Sequence, residues 1–456
     1  MAFAIMALTN CRKNTIITDA SANINFSADT LLFDTIFTTI GSTTKYFKIY
    51  NNNAQKIIVS RIELEQGTNS MFRINVNGDA GVSFNELEIA ANDSAFVFVE
   101  VTIDPNGGTI PLVVEDKIHF TTNGNVSSVI LNAFGQDAYF HVNEIITADE
   151  TWPTDKPHVI YNYCAVDSSI KLTLLAGTQV HGYNNALLYI YKGSLESQGV
   201  LGNEVVFTQA RSEDFLLAQA DSTAGQWRGI YFLAPKQSYL NYTRISNATI
   251  GIQVDTLSVN DSVRLENVRI DNSSFAALVT QGGNIYANSC LFGNSGSYSA
   301  YISIGGSAYF DHCTFANYFP GQRNTALFVV KDYYEASANN IQYRPFNKMI
   351  LKNSIVFGPN ETEIVFDTLS RVLTAQAPEF FIQNTLIKSE DPVANTEFFE
   401  SCWRNLDPGF ADTFYWDFHT NSSAPVDNKG TSTTPINDLD GNSRLLSGND
   451  LGSYNE

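Results

Sequence analysis

Positive charge is scarce in this chain of 456 residues: Lys and Arg total 27 against 47 Asp and Glu, for a formal net charge of −20. With no basic run to offset the deficit, a phosphate backbone or an anionic lipid surface would be repelled, so nucleic acid is not expected as a partner. The five cysteines include no close pair with histidines at ligand separation, so spacing supports no zinc site. No segment is long and apolar enough to cross a membrane as a helix. A nucleophile elbow on a strand-to-helix turn is missing too, and with it any traceable Ser-His-Asp arrangement. What remains is ordinary globular material, 44% hydrophobic and 16% charged, long enough for more than one domain.

What is present is a repeat. The segments ending at Asn247, Asn272, Asn294 and Asn317 read Leu-Asn-Tyr-Thr-Arg-Ile-Ser-Asn, Leu-Glu-Asn-Val-Arg-Ile-Asp-Asn, Ala-Asn-Ser-Cys-Leu-Phe-Gly-Asn and Phe-Asp-His-Cys-Thr-Phe-Ala-Asn. So short a unit cannot bury its own apolar face and must stack on its copies, and its strand-like alternation predicts a turn of a parallel β-helix with about three short strands. Leu240, Leu265, Ala287 and Phe310 should form one inner stack, and Ile245, Ile270, Phe292 and Phe315 another. Cys290 and Cys313 share a third column as two small thiols. The four asparagines are expected at one bend as a hydrogen-bonded ladder, because Asn tolerates left-handed backbone and bonds its neighbours.

Before residue 140 the pattern changes to strands separated by Asn, Gly and Asp turns, as in a β-sandwich. The run from Tyr46-Phe-Lys-Ile-Tyr-Asn through Phe96-Val-Phe-Val-Glu-Val to Ala133-Phe-Gly resembles the immunoglobulin-like modules of the flagellar and ciliary type. The fold expected is all-β: residues 1–24 a lipoprotein signal remnant and linker, 25–138 an immunoglobulin-like sandwich, and 139–456 the β-helix with its C-terminal cap. The short apolar start running into Thr9-Asn10-Cys11 looks like the end of a bacterial lipoprotein signal. That likeness implies lipidation at Cys11 and an outer-membrane location outside the cytoplasm.

Residues 170–232, with Leu172-Thr-Leu-Leu-Ala-Gly-Thr, Leu188-Tyr-Ile-Tyr-Lys-Gly-Ser and Gly225-Gln-Trp-Arg-Gly-Ile-Tyr-Phe, resemble the right-handed β-helix repeat proteins of the pectate-lyase-like superfamily. The tail agrees, in Asp438-Leu-Asp-Gly-Asn-Ser-Arg444 and Asp450-Leu-Gly-Ser-Tyr-Asn-Glu456. The resemblance implies a cell-surface lipoprotein that binds a glycan or peptide without catalysis, beside the components of an outer-membrane importer. Two alternatives stay open: a polysaccharide lyase or glycoside hydrolase on the β-helix, with calcium in the lyase case only, and a structural subunit of a membrane complex. Asp438-Leu-Asp-Gly is expected to be a terminal turn, since a calcium loop needs further spaced acids.

No catalytic residue is assigned. Taking each eight-residue block as one strand puts Tyr242, Asn267, Ser289 and His312 outward, with Glu266 and Asp311 as exposed corner acids two turns apart and His312 as a surface neighbour of Asp311. At roughly 10 Å by strand spacing, those acids are wide even for an inverting pair. The register breaks between Phe315 and Phe357, the next match in that column, leaving an insertion rich in aromatics and charge. Tyr318, Arg323, Asp332, Tyr333, Tyr334 and Arg344 in that stretch are the expected binding residues, because loops leaving a rigid scaffold carry ligand contacts.

Overall fold

The computed structural model describes residues 15–38, 41–42, 44–103, 112–210, 223–255, 261–321, 323–337, 340–369, 379–391, 398–421, 424–431, 437–444 and 448–455. Cys11 lies outside them. The described residues are all-β, with no α-helix among them and a single 3-10 turn at Gly67–Asn69. They fall into two compact units that meet in sequence between Asp137 and Ala138.

The first unit consists of two five-stranded sheets. Strand Lys45–Asn51 shows the rule behind both: Phe47 and Ile49 are buried while Tyr46 and Lys48 face out, the period of two that lets a strand cover one core. Phe47, Phe72 and Val97 from one sheet and Phe33, Val59, Phe120 and Leu131 from the other join a single apolar cluster. All pairings are antiparallel except that of Thr30–Phe37 on Asn125–Gln136.

In the second unit 25 strands form one continuous network, in which most strands also pair in parallel with a strand two or three places further along the chain, or five where the hairpin intervenes. This long parallel sheet is compatible with a β-helix. Its rungs carry the expected inner stacks in register: Leu240, Leu265, Ala287 and Phe310 align, as do Ile245, Ile270, Phe292 and Phe315. A third stack, Leu188, Ile230, Ile252, Leu278, Ala300 and Phe328, completes one core. Cys290 and Cys313 are fully buried free thiols.

Two corrections concern register. Phe315 aligns with Val356, and Phe357 with Ala316. The one-residue offset puts Val356 in the inner core and Phe357 on the opposite face, in a second apolar cluster, as a period of two requires. Within each block the chain bends at the third residue as well: Tyr242, Asn267, Ser289, His312, Asn353 and Asn384 all have φ between 36° and 52°. One left-handed residue turns the chain's direction, so the two halves of the block face different ways, even where one strand runs through the bend, as in Ser238–Ser246 and Val263–Asp271. Glu266 and Asp311 are therefore outward strand residues of the first sheet, in register with Asn241, Asn288 and Lys352. Nor is Asp311 an exposed corner acid or His312 a surface residue, since they are 3% and 0% exposed.

The second bend carries the asparagines. Asn247, Asn272, Asn294 and Asn317 are all buried, and the Asn272 amide donates to Asn247 Oδ1 at 2.6 Å, while Asn247 donates to Gln209. Further along, the partners change to backbone: Asn294 Oδ1 accepts from Tyr318 N at 2.7 Å, and Asn317 donates to Ser295 O at 2.8 Å.

The C-terminal segment folds back over the second sheet. Phe418 and Tyr454 pack on Leu291 and Ala316, and Ser453 N donates to Thr314 Oγ1 at 2.9 Å. The Asp438 carboxylate accepts from the backbone of Asp440, Asn442 and Asn455 at 2.6 to 3.0 Å, so the chain's own N–H groups fill this turn. Sequence alone left the second-sheet face looking open.

Candidate functional site

The insertion after Phe328–Lys331 contains an antiparallel hairpin, Tyr333–Ser337 against Asn340–Tyr343, before the chain rejoins the coil at Phe346–Lys352. The expected binding residues, of which Tyr318 and Arg323 precede this insertion, separate into two groups. Arg323 grips Glu363 with both arms, at 2.7 and 2.5 Å, and the side chains are 5% and 0% exposed. Asp332 is buried and caps Leu369 N at 2.7 Å. Tyr318 packs against Phe410 and Phe418. These three build the coil's exterior. Tyr333 is half-buried, its hydroxyl 2.9 Å from both Asp367 oxygens and Lys331 Nζ 4.1 Å from the centre of its ring. Tyr334 and Arg344 stand exposed on the hairpin.

The third sheet presents a different surface. Along its strands Tyr189, Tyr231, Gln253, Val279 and Tyr301 fall in one outward row, since they alternate with the inner stack. The Tyr189 and Tyr231 rings stack at 5.3 Å. Tyr231 donates to Asp255 Oδ2 at 2.9 Å, and Gln253 Nε2 approaches the same oxygen at 3.0 Å. Burial pushes the Asp255 carboxyl above its ordinary range, against the lowering effect of those two bonds, and burial together with the Asp255 bond raises the Tyr231 phenol.

Beside this row lies an open cavity of about 320 Å³ with Leu187, Tyr231, Asn185, Thr249, Gln253 and Arg228 around it. That volume is at the small end for a ligand pocket. Between the lining residues Arg228 and Ile230 the chains approach closely: a Cβ on Gly229, whose φ is +112°, would sit 1.6 Å from Ile250 O, so no other residue fits there. The Arg228 guanidinium is exposed and pairs with no carboxylate among the described residues. The arrangement offers a ring face, a planar donor and amide groups to one small polar ligand.

None of the cavity residues was singled out from the sequence. A signal was there: aligning Gly229-Ile-Tyr-Phe with Gly251-Ile-Gln-Val puts Ile230 over Ile252 inside and Tyr231 over Gln253 outside.

Neither Glu266 with Asp311 nor Asp255 with Asp367 forms a hydrolytic pair. Glu266 and Asp311 are two rungs apart, roughly 10 Å along the sheet. Asp311 is held by Asn353 at 2.8 Å and Tyr309 at 3.1 Å, and burial raises it. Asp255 follows Val254, which pairs with Thr280, the neighbour of Gln281, and Gln281, Ser303, Lys331 and Asp367 align in turn. Asp255 and Asp367 are thus four rungs apart, roughly 19 Å.

No family model matches the chain, and no curated protein does. Among solved structures, the catalytic unit of the thermostable GH87 alpha-1,3-glucanase from Streptomyces thermodiastaticus strain HF3-3 matches with a TM-score of 0.20 at 10% identity, over 79% of this chain and 88% of that one. A family 123 glycoside hydrolase from Clostridium perfringens matches with a TM-score of 0.19 at 8% identity, over 26% of this chain and 30% of its own. PapD-like domain 7 of human CEP192 gives a TM-score of 0.18 at 9% identity, over 29% and 97%. The chain thus matches under a third of the Clostridium enzyme's length, and TM-scores this low support no conclusion about fold or activity.

Proposed function

We propose that this protein is a non-catalytic glycan-binding lipoprotein of the bacterial outer membrane, an accessory to a nutrient importer. Lipidation at Cys11 tethers it, an immunoglobulin-like sandwich acts as the stalk, and a right-handed β-helix of the pectate-lyase-like type carries the ligand face. The single observation behind the binding role is the Tyr231 cavity, where a ring face, the exposed Arg228 and the Gln253 and Asn185 amides converge. Sugar rings stack on aromatic faces while their hydroxyls take planar hydrogen-bonding groups. The net charge of −20 favours a neutral oligosaccharide over a polyanionic one.

Titration calorimetry with neutral oligosaccharides tests the reading. Binding that falls about tenfold or more in Tyr231→Ala or Arg228→Ala, roughly 1.4 kcal/mol, supports it. Steady release of reducing ends from the same sugars would favour the hydrolase instead.

The assembly-subunit alternative is favoured by a separate observation in the first unit. Tyr46, Phe96 and Phe98 are 37% to 49% exposed and in ring contact on an outward sheet face, an apolar patch of the kind that marks partner surfaces. Retention of an importer subunit in detergent by the native chain, and its loss in Phe96→Ser, would support it.

A further inference from the structure

Polar side chains close the N-terminal end of the coil. The inner stack of Phe207 and Val180 continues into His158 and then Tyr139, that of Leu174 ends in Trp152, and Leu188 is followed by Cys164 and then Glu144. Tyr139 stacks on His158 at 5.0 Å, and Trp152 stacks on both His158, at 4.3 Å, and His141, at 4.2 Å, whose centres lie side by side 5.2 Å apart.

Hydrogen bonds orient these rings. Pro153 O can only accept, so His158 Nε2, at 2.9 Å, carries a proton. With His158 a neutral ring, its Nδ1 accepts from His141 Nε2, also at 2.9 Å. His141 Nδ1 is the nitrogen left over, 2.5 Å from the Glu144 carboxylate. Cys164, which no disulfide uses, lies beside this pair. The donor atoms of His141, Glu144 and Cys164 are all within 4.8 Å of one another.

We propose that His141, Glu144 and Cys164 bind one zinc ion, with His158 and the Pro153 carbonyl holding the His141 ring in its liganding tautomer. A triangle with no side over 4.8 Å has a point within about 2.8 Å of every corner, so a contraction of well under an ångström reaches zinc bond lengths of about 2.0–2.3 Å. One nitrogen, one oxygen and one sulfur suit this borderline ion better than calcium or magnesium, which take oxygen. A liganding histidine that donates its other N–H to a fixed acceptor is the usual support for such a site. Three protein ligands leave a fourth position for water, and the Glu144 side chain is 38% exposed, which gives the ion a way in.

Binding would expel the proton of the Cys164 thiol, which burial pushes above its ordinary range, so affinity should fall as pH drops. His141 and Glu144 are three residues apart, but Cys164 lies 20 residues and one rung further on, so no complete close-spaced motif marks the set.

The test is titration of the purified, metal-free full chain with Zn²⁺, and with Co²⁺ as a spectroscopic probe, in a Cys11→Ser background that removes the terminal thiol. One equivalent of Co²⁺ should give a thiolate charge-transfer band and tetrahedral visible bands. Cys164→Ser should abolish the charge-transfer band. Glu144→Gln, at the half-exposed ligand, should weaken Zn²⁺ on the order of 10- to 100-fold with an unchanged circular-dichroism spectrum, which keeps the test valid if Cys164→Ser fails to fold. Absence of stoichiometric binding, a thiolate band that survives Cys164→Ser, or equal Zn²⁺ affinity in Glu144→Gln would overturn the assignment.

Discussion

Arg323 and Glu363, 40 residues apart in the chain, meet as a two-pronged ion pair at 2.7 and 2.5 Å with both side chains out of solvent. Glu363 also accepts Leu327 N at 3.1 Å and Asn360 N at 3.0 Å. The pair ties the stretch before the insertion to the next rung. Removing one partner strands a buried charge, which costs roughly 3–5 kcal/mol. Arg323→Ala should lower the unfolding free energy by that amount, read as an earlier denaturation midpoint, and leave oligosaccharide binding to the folded fraction unchanged. This reverses the expectation for a recognition loop.

The Asn272 to Asn247 bond makes a second stability prediction. Asn272→Leu leaves the Asn247 oxygen short of a donor and forces a branched residue to φ 53°, so a loss of roughly 1–3 kcal/mol is expected for the bond alone, and more with the strain. Asn272→Gly keeps the backbone free and loses only the bond. Equal melting temperatures for wild type and both variants would contradict the ladder.

Arg444 pins the C-terminal segment. It is 3% exposed, donates to Gly452 O at 2.7 Å, and burial pulls its guanidinium down to about 10 while Asp438, Asp311 and Asp450 oppose the shift. Arg444→Ala should loosen the cover over Leu291 and Ala316, cost roughly 3 kcal/mol and raise binding of an apolar dye. Arg444→Lys should rescue little, because an ammonium cannot reproduce the fork.

Acid should destabilise the second unit before its carboxylates titrate. Burial holds His312 well below its ordinary 6.5, and lowers His158 to about 4. The unfolded chain takes these protons first, so this stability is complete above pH 6.5 and is lost progressively as pH falls toward 4. Asp255 and Asp311, raised by burial, act in the opposite sense, but only once they begin to protonate. In chelator-containing buffer the melting temperature should drop between pH 6.5 and 5. His312→Gln should flatten that drop if the variant folds.

The inner stacks were legible because each repeats an apolar residue at one rung per 22 to 25 positions, and parallel pairing preserves that register. The bend at Tyr242, Asn267, Ser289 and His312 was not. One left-handed residue is enough to turn the chain, and four residue types fill it, so no single letter marks the turn. The fate of Arg323 depended on Glu363, and the cover over Leu291 on Phe418 and Tyr454, all contacts with no local spacing. The Tyr231 cavity hid in segments whose apolar alternation drew attention inward.

The most direct test of the binding account is calorimetric titration of one neutral oligosaccharide into the wild type, Tyr231→Ala and Arg323→Ala under identical conditions. Binding reduced about tenfold or more in Tyr231→Ala, but preserved in folded Arg323→Ala, is the result expected if the third-sheet face is the glycan site. Wild-type affinity in Tyr231→Ala would contradict it.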